Sequence, residues 1–326
     1  MFNKIVVPLD GSPLAEKALP YAAQLARIFG SEIILLRGTF AQIYWGDLPP
    51  QDSWEVAQEA TDYLKVVKAL LTDPIIAPSL SPEKISIRVV DSDTPVMLAE
   101  TAKEAGGDLI VMTTHGRSGI VRLFLGSTAM GVLHATNLPV VLVHPQEQHF
   151  DYTAEANLTD ILVTLDGTSE GEAILKNVAN FAKISGATLT LLRVVAPVYY
   201  PPPGIFSPHS YYPPELIDQA IHERELEAKQ YLARIQGELK QKGVPVRIVV
   251  KVGLTIESIL DYIAENKPQM VAMATHARNY LGSLVLGSVA DEVVRKSNLP
   301  VLTVHTQTVD CSNSYSQAGS QGQVKA

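Results

Sequence analysis

Two stretches in the first half of the sequence carry side chains suited to holding an anion. Asp10, followed by Gly11 and Ser12, closes an apolar run at residues 5–9. Thr113-Thr114-His115-Gly116-Arg117-Ser118-Gly119 closes another, and Gly126-Ser127 follows shortly after. Glycines let a backbone approach a phosphate closely and accept positive φ at little cost. N–H groups at a helix start, backed by aligned peptide dipoles, favour negative charge. Ser127 adds a hydroxyl donor, and Arg117 or Arg122 adds positive charge nearby. Such a set suits capture of a phosphorylated ligand. It does not suit the common hydrolytic chemistries. The sequence has no lysine-bearing phosphate loop, no dinucleotide fingerprint, no zinc-helix motif and no nucleophile elbow. His115 and His276 each lack a second His or Cys at ligand spacing, which favours a loop hydrogen bond over a metal site. No catalytic and no metal-ligating residue is assigned.

The elements that must position these loops come twice. Ile5-Val6-Val7-Pro8-Leu9-Asp10-Gly11-Ser12 recurs as Ile161-Leu162-Val163-Thr164-Leu165-Asp166-Gly167-Thr168. Gly30 with Ile33-Ile34-Leu35-Leu36-Arg37 recurs as Gly186 with Leu189-Thr190-Leu191-Leu192-Arg193. Thr114-His115 returns as Thr275-His276, Leu125-Gly126-Ser127 as Leu286-Gly287-Ser288, and Asn137-Leu138-Pro139-Val140 as Asn298-Leu299-Pro300-Val301. The offset grows from 156 (Asp10 to Asp166) to 161 (Gly126 to Gly287), so the second copy carries a net insertion. A Tyr- and Pro-rich stretch at about 197–214, unfit for regular helix or central strand, accounts for it.

Apolar runs alternate with helical patterns in each copy, the signature of a parallel sheet covered by helices. Strands are expected near 4–9, 32–37, 85–90, 108–113 and 140–144, with helices near 13–29, 53–71, 95–105 and 127–136. The second copy predicts strands near 160–165, 188–195, 246–252, 269–274 and 301–305, and its longest helix at about 215–242. Ser12-Pro13 suits a helix start and Gly30 a left-handed helix end. Ser169 and Glu172 are spaced as a capping box. The expected class is α/β: two tandem open parallel five-stranded sheets with helices on both faces, Rossmann-like in layout. The domains run 1–147 and 158–306, with a linker at 148–157 and a disordered Gln-, Ser- and Gly-rich tail at 307–326.

The strand-Asp-Gly-Ser start, the Thr-His-Gly-Arg-Ser-Gly loop, the later Gly-Ser and the Asn-Leu-Pro-Val run resemble the universal stress protein family. The resemblance covers nearly all of 1–145 and 158–306. It implies ATP as ligand, with Mg²⁺ as an accompanying ion, bound over the first and fourth strands. Asp10 would lie near the ribose, while Gly116, Gly126 and Ser127 embrace the phosphates. The contact set it suggests is completed by Pro8, Gly11, Gly38, Met112, Thr113, Arg117, Gly119 and Thr128. Thr113 stands where the family pattern has its first loop glycine. The second copy departs further: Ala274 and Ala277 replace both loop glycines, leaving the weaker set Asp166, Val194, Gly287 and Ser288. Nucleotide is therefore expected mainly in the first domain.

Composition narrows the setting. A net charge of −8 gives no electrostatic footprint for nucleic acid. The single cysteine, Cys311, rules out an intrachain disulfide. Lys4-Ile5-Val6-Val7 reads as a strand rather than a leader, and no apolar run reaches membrane-spanning length, so a cytoplasmic protein is expected. The leading expectation is a stress-response regulatory module that binds an adenine nucleotide. A nucleotide-free interaction protein and a slow ATPase or autophosphorylating protein stand beside it. The two copies are expected to pack as an internal pseudo-dimer through strands 140–144 and 301–305, with a further homodimer as an additional level.

Overall fold

The computed structural model describes residues 2–39, 53–73, 80–114, 125–144, 158–197, 214–276 and 287–306. Loop positions Gly116, Arg117 and Gly119, the linker 148–157, the insert at 198–213 and the tail from 307 lie outside them. The first half runs β1 (Lys4–Pro8), α1 (Pro13–Glu16), α2 (Leu19–Phe29), β2 (Glu32–Gly38), α3 (Ser53–Leu71), β3 (Ile85–Val90), α4 (Pro95–Glu104), β4 (Leu109–Thr113), α5 (Ser127–Ala135) and β5 (Val140–Val143). The second runs β6 (Asp160–Thr164), α6 (Leu175–Ser185), β7 (Thr188–Val195), α7 (Pro214–Gln241), β8 (Val246–Val252), α8 (Thr255–Asn266), β9 (Met270–His276), α9 (Ser288–Lys296) and β10 (Val301–Thr306).

Two local expectations fail for identifiable reasons. The helix predicted over 13–29 is broken into α1 and α2. Pro20 has no N–H to give to a continuous helix, and the chain tightens before it, with Lys17 and Ala18 donating to the carbonyls three residues back. The Ser169–Glu172 capping box does not form. Thr168 takes the cap, its Oγ1 accepting from Gly171 N–H at 3.0 Å, and the chain passes through a 3-10 turn at Gly171–Ile174 before α6. The other caps stand as expected: Ser12 Oγ accepts from Ala15 N–H, and Gly30 ends α2 at φ 69°.

All the strands belong to one ten-stranded sheet in the order β3-β2-β1-β4-β5-β10-β9-β6-β7-β8. Each half is parallel within itself, and β5 pairs antiparallel with β10, Leu302 opposite Val141. The two five-stranded sheets are thus one mixed sheet. This pairing also covers two edges that would otherwise be open. Thr303 fastens the seam, its Oγ1 donating to the Val140 carbonyl at 3.2 Å.

Alternate strand residues point to two cores. Ile5, Val7, Ile33, Leu35, Leu109 and their second-half partners face α2, α3, α6 and α7. Val6, Ile34, Leu36, Ile110 and Met112 face α4, α5, α8 and α9. Strands buried on both faces explain the near-continuous apolar runs in the sequence. Where the halves meet on the first face, Phe2, Phe29 and Phe181 form an aromatic trio with centroids 4.7–5.4 Å apart.

Candidate functional site

In each half the strand order reverses beside the first strand, between β1 and β4 and again between β6 and β9. Ligands in open α/β sheets bind outside the carboxyl ends of strands at such a point. β1 delivers Pro8, buried and paired with Leu36, and then the half-buried Asp10. Asp10 Oδ1 accepts from Ser12 N–H at 2.8 Å, fixing the turn into α1. Gly11 sits at φ +86°, a torsion that favours glycine, with the Arg37 guanidinium against it. Arg37 also lies 4.7 Å above the Tyr63 ring, and the Tyr63 hydroxyl donates to Glu16 at 2.9 Å. Burial, then the hydrogen bond to Glu16 and its charge, push the Tyr63 phenol far above its ordinary range against the opposing pull of Arg37.

The turn and the arginine–tyrosine stack recur in the second half. Asp166 Oδ1 accepts from Thr168 N–H, Gly167 stands at φ +90°, and Arg193 lies 4.9 Å above Tyr231. Asp166 is exposed, however, and Glu172 is engaged by Arg234 at 2.6 Å. Sequence reasoning missed this Arg–Tyr–Glu support. The signal was present: Arg37 and Arg193 are charged residues late in mostly apolar strands at matching places. The turn gives a separable test of Asp10. Asp10→Asn keeps a carbonyl oxygen for Ser12 and should leave stability to urea nearly unchanged, whereas Asp10→Ala should cost about 1 kcal/mol. Equal losses in the two variants would show that charge, not the turn, is what stability draws on.

Opposite Asp10, β4 ends at Met112 and Thr113, both buried, Met112 within the second core. Thr114 N–H donates to the Val143 carbonyl at 3.0 Å, and Gly126 N–H donates to the Thr114 carbonyl at 2.7 Å. The two ends of the intervening loop are therefore tied together beside β5. Gly126 caps α5 at φ −57° and ψ 145°, which any residue adopts. What glycine contributes at this position is the missing β-carbon. The N–H groups of Ser127, Thr128 and Ala129 have no acceptor within the helix, and the Ser127 and Thr128 side chains are exposed. In the second half Gly287 caps α9 at φ +89°, a torsion that does favour glycine, followed by exposed Ser288.

Gly38 has a packing reason of its own. A β-carbon there would collide with the Ser92 carbonyl and come within 2.6 Å of Asp93 Cα, because the chain after β3 crosses the end of β2. The second half shifts that glycine by one strand. Val194 replaces Gly38, and Gly253 follows β8, where a β-carbon would meet Ser258 Oγ at 2.7 Å. The structure thus brings Pro8, Asp10, Gly11, Thr113, Gly126, Ser127 and Thr128 to the carboxyl end of the first parallel half. Asp166, Gly287 and Ser288 occupy the same end of the second.

Fold and topology together define a duplicated α/β protein with a strand-order switch point in each half. Residues 1–144 and 157–305 each match the universal stress protein family, and the chain belongs to that family. A universal stress protein of Methanocaldococcus jannaschii is 30% identical over 148 residues, covering 44% of this chain and 82% of its own length. One from Mycobacterium tuberculosis is 24% identical over 316 residues, covering 91% of this chain and 95% of its own length. Among solved structures, a universal stress protein from Archaeoglobus fulgidus superimposes with a TM-score of 0.66 at 19% identity, over 94% of this chain and 99% of that one. The likeness is to the tandem fold as a whole.

Proposed function

We propose that the chain binds an adenine nucleotide, ATP with Mg²⁺, at the carboxyl ends of β1 and β4. The observation that carries this reading is the switch point itself. It has an aspartate held in a turn on one side and the amino end of α5 on the other. A carboxylate suits ribose hydroxyls, and first-turn N–H groups with the Ser127 hydroxyl suit phosphate oxygens. Family membership and the Gly116, Gly126, Ser127 spacing favour the same ligand.

The first half is the preferred site. Its aspartate is half-buried where Asp166 is exposed, and its loop keeps Gly116 where the second copy has Ala277. The role that follows is a cytoplasmic stress-response module whose occupancy biases its shape, since a ligand moves an equilibrium only by binding one state better than another. Among the described residues, no helix is long and apolar enough to cross a membrane.

Calorimetric titration of ATP with Mg²⁺ into the full chain, stripped of any co-purified nucleotide, tests the reading. A stoichiometry near one is expected. Two equivalents would show that the second half binds as well. No heat and no binding in nucleotide-free protein would overturn the proposal and leave the interaction-protein reading.

A further inference from the structure

The seam between the halves is not symmetric. Phe2 and Phe29 from the first half meet Phe181 of α6 edge-on and fill one side of it. The repeat places Leu158, Ser185 and Leu25 at the equivalent positions on the other side. Three rings have become two leucines and a serine. On that side lies a cavity of about 300 Å³ between α2, β5 and the starts of β9 and β10, with Leu25 and Leu158 in its wall.

Its mouth is uncharged as well. In the first half, Asp108 accepts from the N–H groups of Asn3 and Lys4 at 2.7 and 3.0 Å. Gln269 does the same work in the second half, its Oε1 accepting from Thr159 and Asp160 N–H at 3.1 and 2.7 Å. An amide thus stands at the cavity where the other side has a carboxylate. Tyr21, Gln24 and Asn298 complete the polar rim, and no charged residue lines the cavity among the described residues. Burial raises the Tyr21 phenol above its ordinary value.

We propose that this cavity is a binding site for a small uncharged molecule with an apolar, ring-sized body and one hydrogen-bonding group. An apolar cavity of about 150 Å³ is enough for benzene, and the volume here accommodates a bicyclic ring. Apolar walls with a few polar groups at one end are the usual make-up of a small-molecule site. Position adds a consequence: the ligand would touch both halves at their junction. The inference does not depend on nucleotide binding.

Indole, neutral and bicyclic with a single N–H, is a suitable probe. Equilibrium dialysis of the full chain is expected to show one saturable indole site that excess ATP with Mg²⁺ leaves untouched. The double variant Leu25→Phe/Leu158→Phe copies two of the rings on the filled side. It should weaken indole at least about tenfold with the melting temperature held or raised. Gln269→Glu, which restores a carboxylate at the mouth while keeping the oxygen that Thr159 and Asp160 need, should weaken it without adding bulk. Absence of saturable binding, competition by ATP, or undiminished binding in both variants would each overturn the proposal.

Discussion

Phe181→Ala is expected to lower stability by about 3–5 kcal/mol, the largest loss for any single truncation at the junction of the halves. Phe181 is fully buried and stacks edge-on against both Phe2 and Phe29 at 4.7 Å. It projects from α6 of the second half onto residues of the first, so its removal strikes the contact between halves as well as the core of one. Each aromatic pair contributes about 0.5–1.5 kcal/mol beyond the area it buries. Urea denaturation followed by circular dichroism should show an earlier midpoint and two transitions where the parent shows one. Leu25→Ala, at the equivalent place across the seam, borders space that is already empty and should cost less. A loss under about 1 kcal/mol for Phe181→Ala would mean that β5 and β10 alone hold the halves together.

Gly126→Val is expected to weaken ATP on the order of a hundredfold while moving the melting temperature by no more than a few degrees. The backbone at 126 already sits at φ −57°, so valine meets no torsional penalty there. The Gly126 N–H is committed to the Thr114 carbonyl, and the substitution leaves that bond in place. What changes is the space in front of the Ser127 and Thr128 N–H groups, where two methyls would keep phosphate oxygens away. Charge-assisted bonds contribute about 1.5–3 kcal/mol each, so losing one or two accounts for the magnitude. Gly287→Val makes a useful contrast, because φ +89° there would strain a β-branched residue and reduce stability. Full ATP affinity in a folded Gly126→Val protein would move the phosphate contacts away from the start of α5.

Much of this architecture was legible in the sequence because the repeat is long and its strands are buried on both faces. Residues 4–9 and 32–37 announced β1 and β2 within a residue of their ends. The edge-to-edge meeting of 140–144 and 301–305 appears as the β5–β10 pairing. Helix details were harder. Pro20 sits where it can start a helix as well as break one, and only the bonds of Lys17 and Ala18 show which it does. At Ser169, a box of the right residue types lost to Thr168, whose hydroxyl also donates to Asp166 at 2.7 Å. The placement of Asp10 and Gly126 on strand and helix ends followed from spacing. The network of Arg37, Tyr63 and Glu16 did not, because its members come from three elements far apart in the chain. The seam cavity was invisible for a related reason. Its walls come from both halves and face each other only once those halves are paired.

The antiparallel junction also sets a compass for the whole molecule. Within each half all strands run one way, and across β5 and β10 the direction flips. The carboxyl ends of β1 and β4, beside Asp10, and those of β6 and β9, beside Asp166, therefore face opposite ways along the sheet. The Leu302–Val141 register marks the midline at which that direction reverses.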